Sequence, residues 1–190
     1  MLIVFHKPYG VLCQFTQDQP GQQTLADFGF PKNVWPIGRL DMDSEGLLLL
    51  SDEKALVDRL LNPRSKQPKT YLTQVEGIPD SKALAKLSDG TLHIKGHRCR
   101  PARAHLPDPQ PSIPPRDPPI RVRASIPDRW ITLTLTEGKN RQVRRMTAAV
   151  GHPTLRLIRI AIGDLELGEL ESGVWQEADA TQRQQLGLRV

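Results

Sequence analysis

The chain has 190 residues, of which 38% are hydrophobic, 25% charged and 5% aromatic, and its formal net charge is +5. This length allows one domain of ordinary size or two small lobes, and the composition is that of a folded globular protein. Large multidomain architectures and disorder of the whole chain are therefore excluded. The longest aliphatic run, Leu47 to Leu50, is far shorter than the roughly 20 apolar residues that a membrane-spanning helix needs.

The N-terminus contains no secretory signal, because the apolar residues 1–5 are followed at once by His6, Lys7 and Pro8. We therefore expect a cytoplasmic protein without membrane contacts. Cys13 and Cys99 are far apart in sequence and form no Cys-x-x-Cys pair, which argues against a disulfide framework and against a thiolate zinc site. His93, His97 and Cys99 are spaced like metal ligands but lack a fourth partner nearby, so no metal is predicted.

The charges are unevenly distributed along the chain. Residues 95–129 contain eight basic residues and three acidic ones, and a second basic cluster consists of Lys139, Arg141, Arg144, Arg145, Arg156 and Arg159. Residues 164–179 then carry six acids and no base. Such a polarised chain favours a polyanionic partner such as nucleic acid, although a solvated basic face without a partner is the simpler alternative.

Short apolar runs predict the first elements. Leu2 to Phe5 and Val11 to Phe15, separated by a turn at residues 7–10, indicate an N-terminal hairpin. Leu47 to Leu50 has the length of a fully buried strand. Residues 51–53 then supply an N-cap and an acidic first turn for a helix, which Asn62-Pro63 ends. Its inward-facing residues are predicted to be Leu56, Val57, Leu60 and Leu61.

The second half of the chain reads as two strands and two short helices around a loop. Thr70 to Val75 and Ile131 to Leu135 alternate apolar with polar residues, as strands with one buried face do. A helix is predicted over Ser81 to Leu87, closed by Gly90. Another follows Asn140 as N-cap, with Gly151 at its end. Its apolar side consists of Val143, Met146 and Val150.

Prolines dominate the stretch between these elements. Residues 101–127 contain nine of the 17 prolines, which cannot donate to the ladders of a central sheet. We expect a mobile loop over about residues 105–128. The whole pattern predicts an α+β fold with a mixed, largely antiparallel central sheet and flanking helices.

The most informative segment is the acidic loop at residues 38–46, which runs directly into the predicted buried strand. Asp41, Asp43 and Glu45 repel one another there, and charge concentrated on a loop is often functional. A solvated acidic turn is one alternative. A calcium loop is another, since several acids match EF-hand positions, but Leu47 to Leu50 would then have to be loop instead of strand.

Four ordered segments carry a resemblance to a known family. Gly38-Arg39-Leu40-Asp41, followed by the run from Ser44 to Leu50, resembles the catalytic motif of pseudouridine synthases, in the branch typified by the small-ribosomal-subunit enzyme A. Lys7-Pro8-Tyr9-Gly10 and Lys69-Thr70-Tyr71 resemble two further motifs of this family. The segment from Glu137 to Met146 resembles its C-terminal basic motif.

The resemblance implies three catalytic residues. Asp41 is expected to be the nucleophile, which attacks the substrate covalently or assists elimination to a glycal. Arg144 is expected to pair with Asp41 and keep it ionised, or alternatively to contact a phosphate. Tyr71 is expected to stack on the target base where a proton leaves C5, or alternatively to be an edge residue of a strand without chemical function.

The resemblance also implies that the target nucleotide is flipped out of the RNA into the site, because a stacked uridine hides its glycosidic bond. Arg39, Lys7, Arg141 and Arg145 are the expected RNA-binding residues, with Lys7 and Pro8 shaping the floor of the pocket. For these four, surface charge or turn geometry is the simpler alternative.

The resemblance covers nearly the whole chain and implies a single catalytic domain over residues 1–190, with two lobes around a catalytic cleft. The N-terminal S4-like RNA-binding domain of many relatives is expected to be absent, because the first motif begins at Lys7. The alternative is that an N-terminal segment has been removed from the chain. The implied activity is conversion of a specific uridine in ribosomal RNA, of the large subunit (23S), to pseudouridine. It uses no cofactor, and its partner is ribosomal RNA or a pre-ribosomal particle. The alternative to this enzyme is a non-catalytic ribosomal-RNA-binding protein. We expect the protein to be a monomer.

Overall fold

The computed structural model describes residues 1–62, 67–120 and 125–188. The chain divides into two compact units: unit 1 comprises Met1–Gln67 and Ile158–Val190, and unit 2 comprises Pro68–Leu157. In chain order the elements are β1 (Leu2–Lys7), β2 (Trp35–Ile37), β3 (Glu45–Ser51), α1 (Lys54–Leu61), β4 (Lys69–Glu76), α2 (Ser81–Ser88), β5 (His93–Ile94), β6 (His97–Arg98), β7 (Arg103–His105), β8 (Asp128–Leu135), α3 (Gln142–Ala149), β9 (Thr154–Ile162), β10 (Leu165–Glu166), β11 (Trp175–Glu177) and α4 (Ala180–Gln185).

The strands of unit 1 are organised around β3, in which every residue is buried. This confirms the predicted buried strand at Leu47 to Leu50. β3 pairs antiparallel with β1 and with β2, and it pairs in parallel with β9 at Glu45 and Gly46. The core on one side of these strands consists of Leu2, Val4, Ile37, Leu47, Leu49, Leu60, Ile162, Leu165, Ala178, Leu186 and Leu188. The acidic loop therefore ends on a strand that is fixed on both edges.

The predicted N-terminal hairpin is wrong. Residues 11–15 form no strand, and Leu12 makes only an isolated bridge to Thr24. The reason is that both edges of β1 are already occupied, one by β3 and the other by β11. The pairing of β1 with β3 and β11, which are distant in sequence, thus replaces its expected pairing with residues 11–15.

Helix α1 confirms the predicted helix after β3, but its start and its inner face differ from the prediction. Glu53 occupies the N-cap position without a side-chain capping bond, and the first turn contains no acid. Leu60 is buried and belongs to the core, whereas Leu61 is 45% exposed, so its predicted inward position is wrong. Pro63, expected to help end the helix, lies outside the described residues.

Unit 2 contains an antiparallel set in which β8 pairs with β4 on one side and with β7 on the other. Its core consists of Val75, Leu87, Leu92, Ile94, Cys99, Ile131, Leu133, Leu135, Val143, Met146 and Leu157. The strands predicted at Thr70 to Val75 and Ile131 to Leu135 are confirmed by β4 and β8, and the two helices by α2 and α3. The short β5–β6 hairpin was not predicted from the sequence.

The proline-rich stretch begins with β7, a three-residue edge strand, and its other described residues form neither helix nor strand. Gln110 attaches it to β8, because Trp130 N donates to Gln110 Oε1 at 2.8 Å and Gln110 Nε2 donates to Trp130 O at 3.2 Å. Residues 121–124 of the predicted loop lie outside the described residues. The mobility of this loop stays a prediction.

Helix α3 starts one residue later than expected. Asn140 is not the N-cap: that position is taken by Arg141, whose φ is +52°. The Asn140 side chain instead accepts a hydrogen bond from Arg145 Nη2 at 2.6 Å. This contact ties the loop before α3 to the exposed side of the helix.

The fold class is confirmed as α+β, with mixed but largely antiparallel strand pairing. The pair β3–β9 supplies the parallel contact. Within the described residues, no helix is both long and apolar enough to span a bilayer.

Candidate active site

The acidic loop of unit 1 forms a tight turn over Asp41 to Ser44, closed by a hydrogen bond of 3.0 Å from Ser44 N to Asp41 O. Residues 7–10 hold this turn in place by hydrogen bonds to its backbone. Lys7 Nζ donates to Ser44 O at 2.8 Å and lies 3.5 Å from Met42 O, while Gly10 N donates to Met42 O at 2.8 Å. The motif at residues 7–10 is thus hydrogen-bonded to the motif that contains Asp41. These bonds fix the backbone that carries Asp41.

Lys7 has no exposed surface, and its third contact is the carbonyl oxygen of Pro8 at 2.8 Å. Burial lowers the pKa of Lys7 from 10.5 to about 8, because a buried ammonium loses its hydration. The hydrogen bonds of Lys7 position the backbone of the loop. Its expected contact with RNA and its place in the floor of the pocket stay predictions.

The same ammonium accounts for the clustering of acids on the loop. Asp41, Asp43 and Glu45 all interact favourably with the Lys7 charge and oppose the lowering of its pKa. Glu45 is buried, and Asp41 and Asp43 are half-buried. A cation beneath three carboxylates offsets their mutual repulsion, so the loop can concentrate negative charge without opening.

Gly46 allows the backbone of β9 to approach β3 closely at Arg159, a second buried cation. Gly46 pairs with Lys7 on β1 and with Arg159 on β9, and a Cβ atom at Gly46 would lie 2.3 Å from Arg159 O. Arg159 is 3% exposed and donates from Nε to Leu47 O at 2.7 Å. Arg156, 9% exposed, donates to Pro114 O at 2.7 Å. Both arginines were expected in the basic RNA-facing cluster, and their burial contradicts that expectation.

Arg39 lies on the surface of unit 1, at the start of the acidic loop. It is exposed and follows Gly38, whose φ of +77° belongs to the left-handed region. A residue with a side chain is strained in this conformation, so Gly38 permits the bend that leads from β2 into the loop. The position of Arg39 is compatible with a contact to RNA.

Tyr71 is held on β4 of unit 2, opposite Leu133 of β8. It is half-buried and packs against the core of that unit. Beside it, the hydroxyls of Thr70 and Thr134 hydrogen-bond across the two strands at 3.0 Å. The ring is therefore supported from behind by a central strand pair.

The other predicted residues of unit 2 lie on α3 or at its start. Arg144 is half-buried, and its Nη1 lies 3.5 Å from Thr154 O. Arg145 is also half-buried, and Arg141 at the helix start is exposed. Val143 and Met146 point into the core of unit 2 and thereby orient the arginines between them.

The structure thus groups the seven predicted site residues into two sets. Unit 1 carries Lys7, Arg39 and Asp41, and unit 2 carries Tyr71, Arg141, Arg144 and Arg145. The pairing of Asp41 with Arg144 and the cleft between two lobes stay predictions.

Sequence reasoning missed Glu137 as an organising residue. Its carboxylate accepts hydrogen bonds from Arg100 N at 2.9 Å and Gln142 Nε2 at 2.6 Å, and lies 3.0 Å from His97 Nε2. Burial would raise the pKa of Glu137, but these hydrogen bonds outweigh it and hold the pKa below its ordinary value. The signals in the sequence were that Glu137 begins the segment resembling the C-terminal motif and that it is a lone acid at the border of a basic segment.

Within the described part of the chain, no group of three or more His, Cys, Asp or Glu side chains is placed to hold a metal ion. The calcium-loop alternative fails on another ground. It requires Leu47 to Leu50 to be loop, and these residues form the middle of β3.

The chain is similar to known proteins over most of its length. The family model described as RNA pseudouridylate synthase matches residues 1–149. A Xanthomonas axonopodis pv. citri (strain 306) protein named ribosomal large subunit pseudouridine synthase E is 57% identical over 171 residues, covering 90% of this chain and 90% of that protein. Its namesake from Vibrio parahaemolyticus serotype O3:K6 (strain RIMD 2210633) is 49% identical over 176 residues, covering 93% of this chain and 73% of that protein. A crystal structure of pseudouridylate synthase matches with a TM-score of 0.79 at 27% identity, covering 97% of this chain and 73% of that chain.

Proposed function

The chain belongs to the RNA pseudouridylate synthase family, and from this premise we propose that it converts one specific uridine of large-subunit ribosomal RNA into pseudouridine. The family predicted from the four motifs is confirmed, and with it the isomerase is favoured over a non-catalytic RNA-binding protein. The names of the relatives suggest the ribosomal substrate.

The observation that carries the proposal is the clamped turn at Asp41 to Ser44. The reaction breaks the bond between uracil N1 and ribose C1′, rotates the base, forms a bond from C5 to C1′ and transfers the C5 proton to solvent while N1 regains a proton. It is redox-neutral, and the proposal assigns it no cofactor. It requires a carboxylate in a defined place, and the hydrogen bonds of Lys7 and Gly10 fix the backbone of the residue that bears one.

Asp41 is assigned the role of the nucleophile. Its carboxylate either attacks the substrate covalently or assists elimination of the base to leave a glycal. The Lys7 ammonium interacts favourably with this carboxylate and, through its hydrogen bond to Ser44 O, holds the turn that carries it.

Tyr71 and Arg144 are assigned the remaining catalytic roles. The ring of Tyr71 is half-buried. It is assigned the stacking of the rotating uracil, and its hydroxyl is assigned to the departure of the C5 proton. Arg144 extends from a helix whose opposite side is buried in the core, and it pairs with Asp41 in the substrate complex. Arg39, Arg141 and Arg145 bind the RNA backbone around the flipped nucleotide.

The biological setting follows from the same proposal. Residues 1–190 act as a single catalytic domain, as a monomer, in the cytoplasm where ribosomal RNA and pre-ribosomal particles are present. The net charge of +5 and the basic segments of unit 2 support a polyanionic partner.

The deciding experiment incubates unmodified large- and small-subunit ribosomal RNA with the wild-type protein and with Asp41→Asn. Carbodiimide treatment and primer extension then map each pseudouridine. A new stop in large-subunit RNA with the wild type alone supports the reaction, the nucleophile and the substrate together. RNA binding without any stop, on naked RNA and on ribosomal particles alike, would contradict the proposal and favour the non-catalytic alternative.

A further inference from the structure

Unit 2 exposes a set of cations that the proposed site does not use. They lie on the β5–β6 hairpin with its exit and on the segment entering α3, and we name them the hairpin–helix surface: Lys95, Arg98, Arg100 and Lys139. No acid occurs between Thr91 and Leu106, and none occurs from Gly138 to the end of α3. The cations of this surface outnumber the acids that interact with them, which are Glu137, 4.0 Å from Arg100 Nε, and Asp89, which interacts with Arg98.

Packing places the two parts of this surface side by side. Ile94 of the hairpin belongs to the same buried cluster as Val143 and Met146 of α3. In the hairpin register His93 stands opposite Arg98, and both are exposed. One face of the hairpin is therefore fixed on the helix, and the other presents its basic side chains to solvent.

Glu137 joins the two parts with a single carboxylate that is only 9% exposed. It accepts hydrogen bonds from the backbone of Arg100 at the hairpin exit and from the side chain of Gln142 at the start of α3, and it contacts His97 on β6. Arg100 Nε lies 4.0 Å from this carboxylate, at the limit of an ion pair. Most of the hydrogen-bonding capacity of the Glu137 carboxylate is thus taken by backbone, amide and imidazole groups that fix the hairpin. Arg98 donates from Nε to Gly90 O at 2.9 Å, and all four cations of the surface are exposed.

We propose that the hairpin–helix surface binds the phosphate backbone of the RNA outside the target uridine, and that Glu137 positions its two parts for this contact. This inference rests on the proposed RNA substrate. Like charges gathered on a rigid face raise the local potential, which an RNA backbone lowers with release of its counterions. The exposure of these side chains and the absence of acids in both segments are what favour a phosphate backbone as the occupant.

The test neutralises one cation in each part, with Lys95→Asn and Lys139→Gln, and combines them in a double variant. Asn is chosen because Lys95 has a φ of +47°, a conformation that asparagine tolerates. Lys82→Gln is the control, since Lys82 is exposed on α2 of the same unit. The dissociation constant for unmodified large-subunit ribosomal RNA is measured over a series of salt concentrations.

We expect each single variant to weaken binding and to reduce the slope of log K against log salt by about 0.7 to 0.9. The double variant should reduce it by about twice as much, and Lys82→Gln should leave the slope unchanged. Slopes equal to the wild type in Lys95→Asn and Lys139→Gln would overturn the assignment of this surface.

Glu137→Gln separates positioning from charge. Loss of one negative charge alone would tighten RNA binding, whereas loss of the positioning contact should weaken it several-fold. Tighter binding would therefore contradict the positioning role, provided that circular dichroism shows a folded variant.

Pseudouridine formation by the wild type is measured on the same RNA. An active wild type with unchanged slopes refutes the surface alone, whereas an inactive wild type refutes the proposed function and leaves the slopes to judge the surface.

Discussion

The side chain of Lys7 donates a hydrogen bond of 2.8 Å to the carbonyl oxygen of Ser44, so a lysine without exposed surface supports the turn that begins at Asp41. A buried charge is costly unless it is hydrogen-bonded, and three backbone carbonyls surround this one. The carboxylates of the loop add favourable interactions. Lys7 thus connects the chemistry of the loop to the stability of unit 1.

Lys7 makes the free energy of unfolding depend on pH within a defined window. Its pKa is about 8 in the folded protein and 10.5 in an ordinary environment. Between these values the unfolded chain binds more protons than the folded one, so the Lys7 contribution to the free energy of unfolding rises as pH increases from about 8 to about 10.5. Urea midpoints of the wild type and of Lys7→Met, compared over this pH range, measure the Lys7 contribution. The free energy of unfolding of the wild type should rise relative to that of Lys7→Met across this window. A constant difference between the two would show that the pKa of Lys7 is not lowered.

The close approach at Gly46 predicts a large effect of a small substitution. Gly46→Ala places a methyl group 2.3 Å from Arg159 O on a backbone with φ of +102°. We expect a loss of roughly 3 kcal/mol or more in the free energy of unfolding. Gly21→Ala is the matched control, because Gly21 has a φ of +85° but no atom within 4 Å, and should cost about 1 to 2 kcal/mol. Equal costs in urea titrations would mean that the contact with β9 relaxes freely.

Local pattern revealed some of these features and missed others. The aliphatic run of β3 could be read because a fully buried strand needs no alternation. The false hairpin at Val11 to Phe15 arose because sequence proximity suggested a partner for β1, which β3 and β11 occupy instead. Lys7 and Arg159 looked like surface charges, since a side chain's type does not report its burial. The motifs could be read because each keeps its residues within a short segment.

Asp41→Asn should abolish turnover and preserve RNA binding. The substitution keeps the shape of the side chain and the backbone bond from Ser44 N to Asp41 O, but it removes the nucleophilic carboxylate. We expect the single-turnover rate to fall by at least about 10³-fold, with a dissociation constant within about threefold of the wild type. Asp43→Asn on the same turn is the control and should remain active. Measurable turnover by Asp41→Asn would show that another group is the nucleophile.

Two neighbouring arginines on α3 should give different kinetic effects. Arg144→Ala should lower the single-turnover rate by about 10²- to 10³-fold with little change in affinity, because it removes the partner proposed for Asp41. Arg145→Gln should instead weaken RNA binding and reduce its salt slope by about 0.7 to 0.9. Rate and affinity are both measured for each variant. If Arg144→Ala lost affinity and kept its rate, Arg144 would be a phosphate contact.

Tyr71 allows stacking and proton transfer to be separated. Tyr71→Phe keeps the aromatic face on β4 and loses the hydroxyl, so RNA affinity should be retained while the single-turnover rate falls by about 10²-fold or more. Tyr71→Leu also removes the face, and its affinity should fall by the roughly 1 to 3 kcal/mol that one base-stacking contact contributes. Because the side chain packs against the core of unit 2, thermal unfolding is measured for both variants before their kinetics are compared. A wild-type rate in Tyr71→Phe would exclude the hydroxyl from proton transfer and leave Tyr71 with stacking alone.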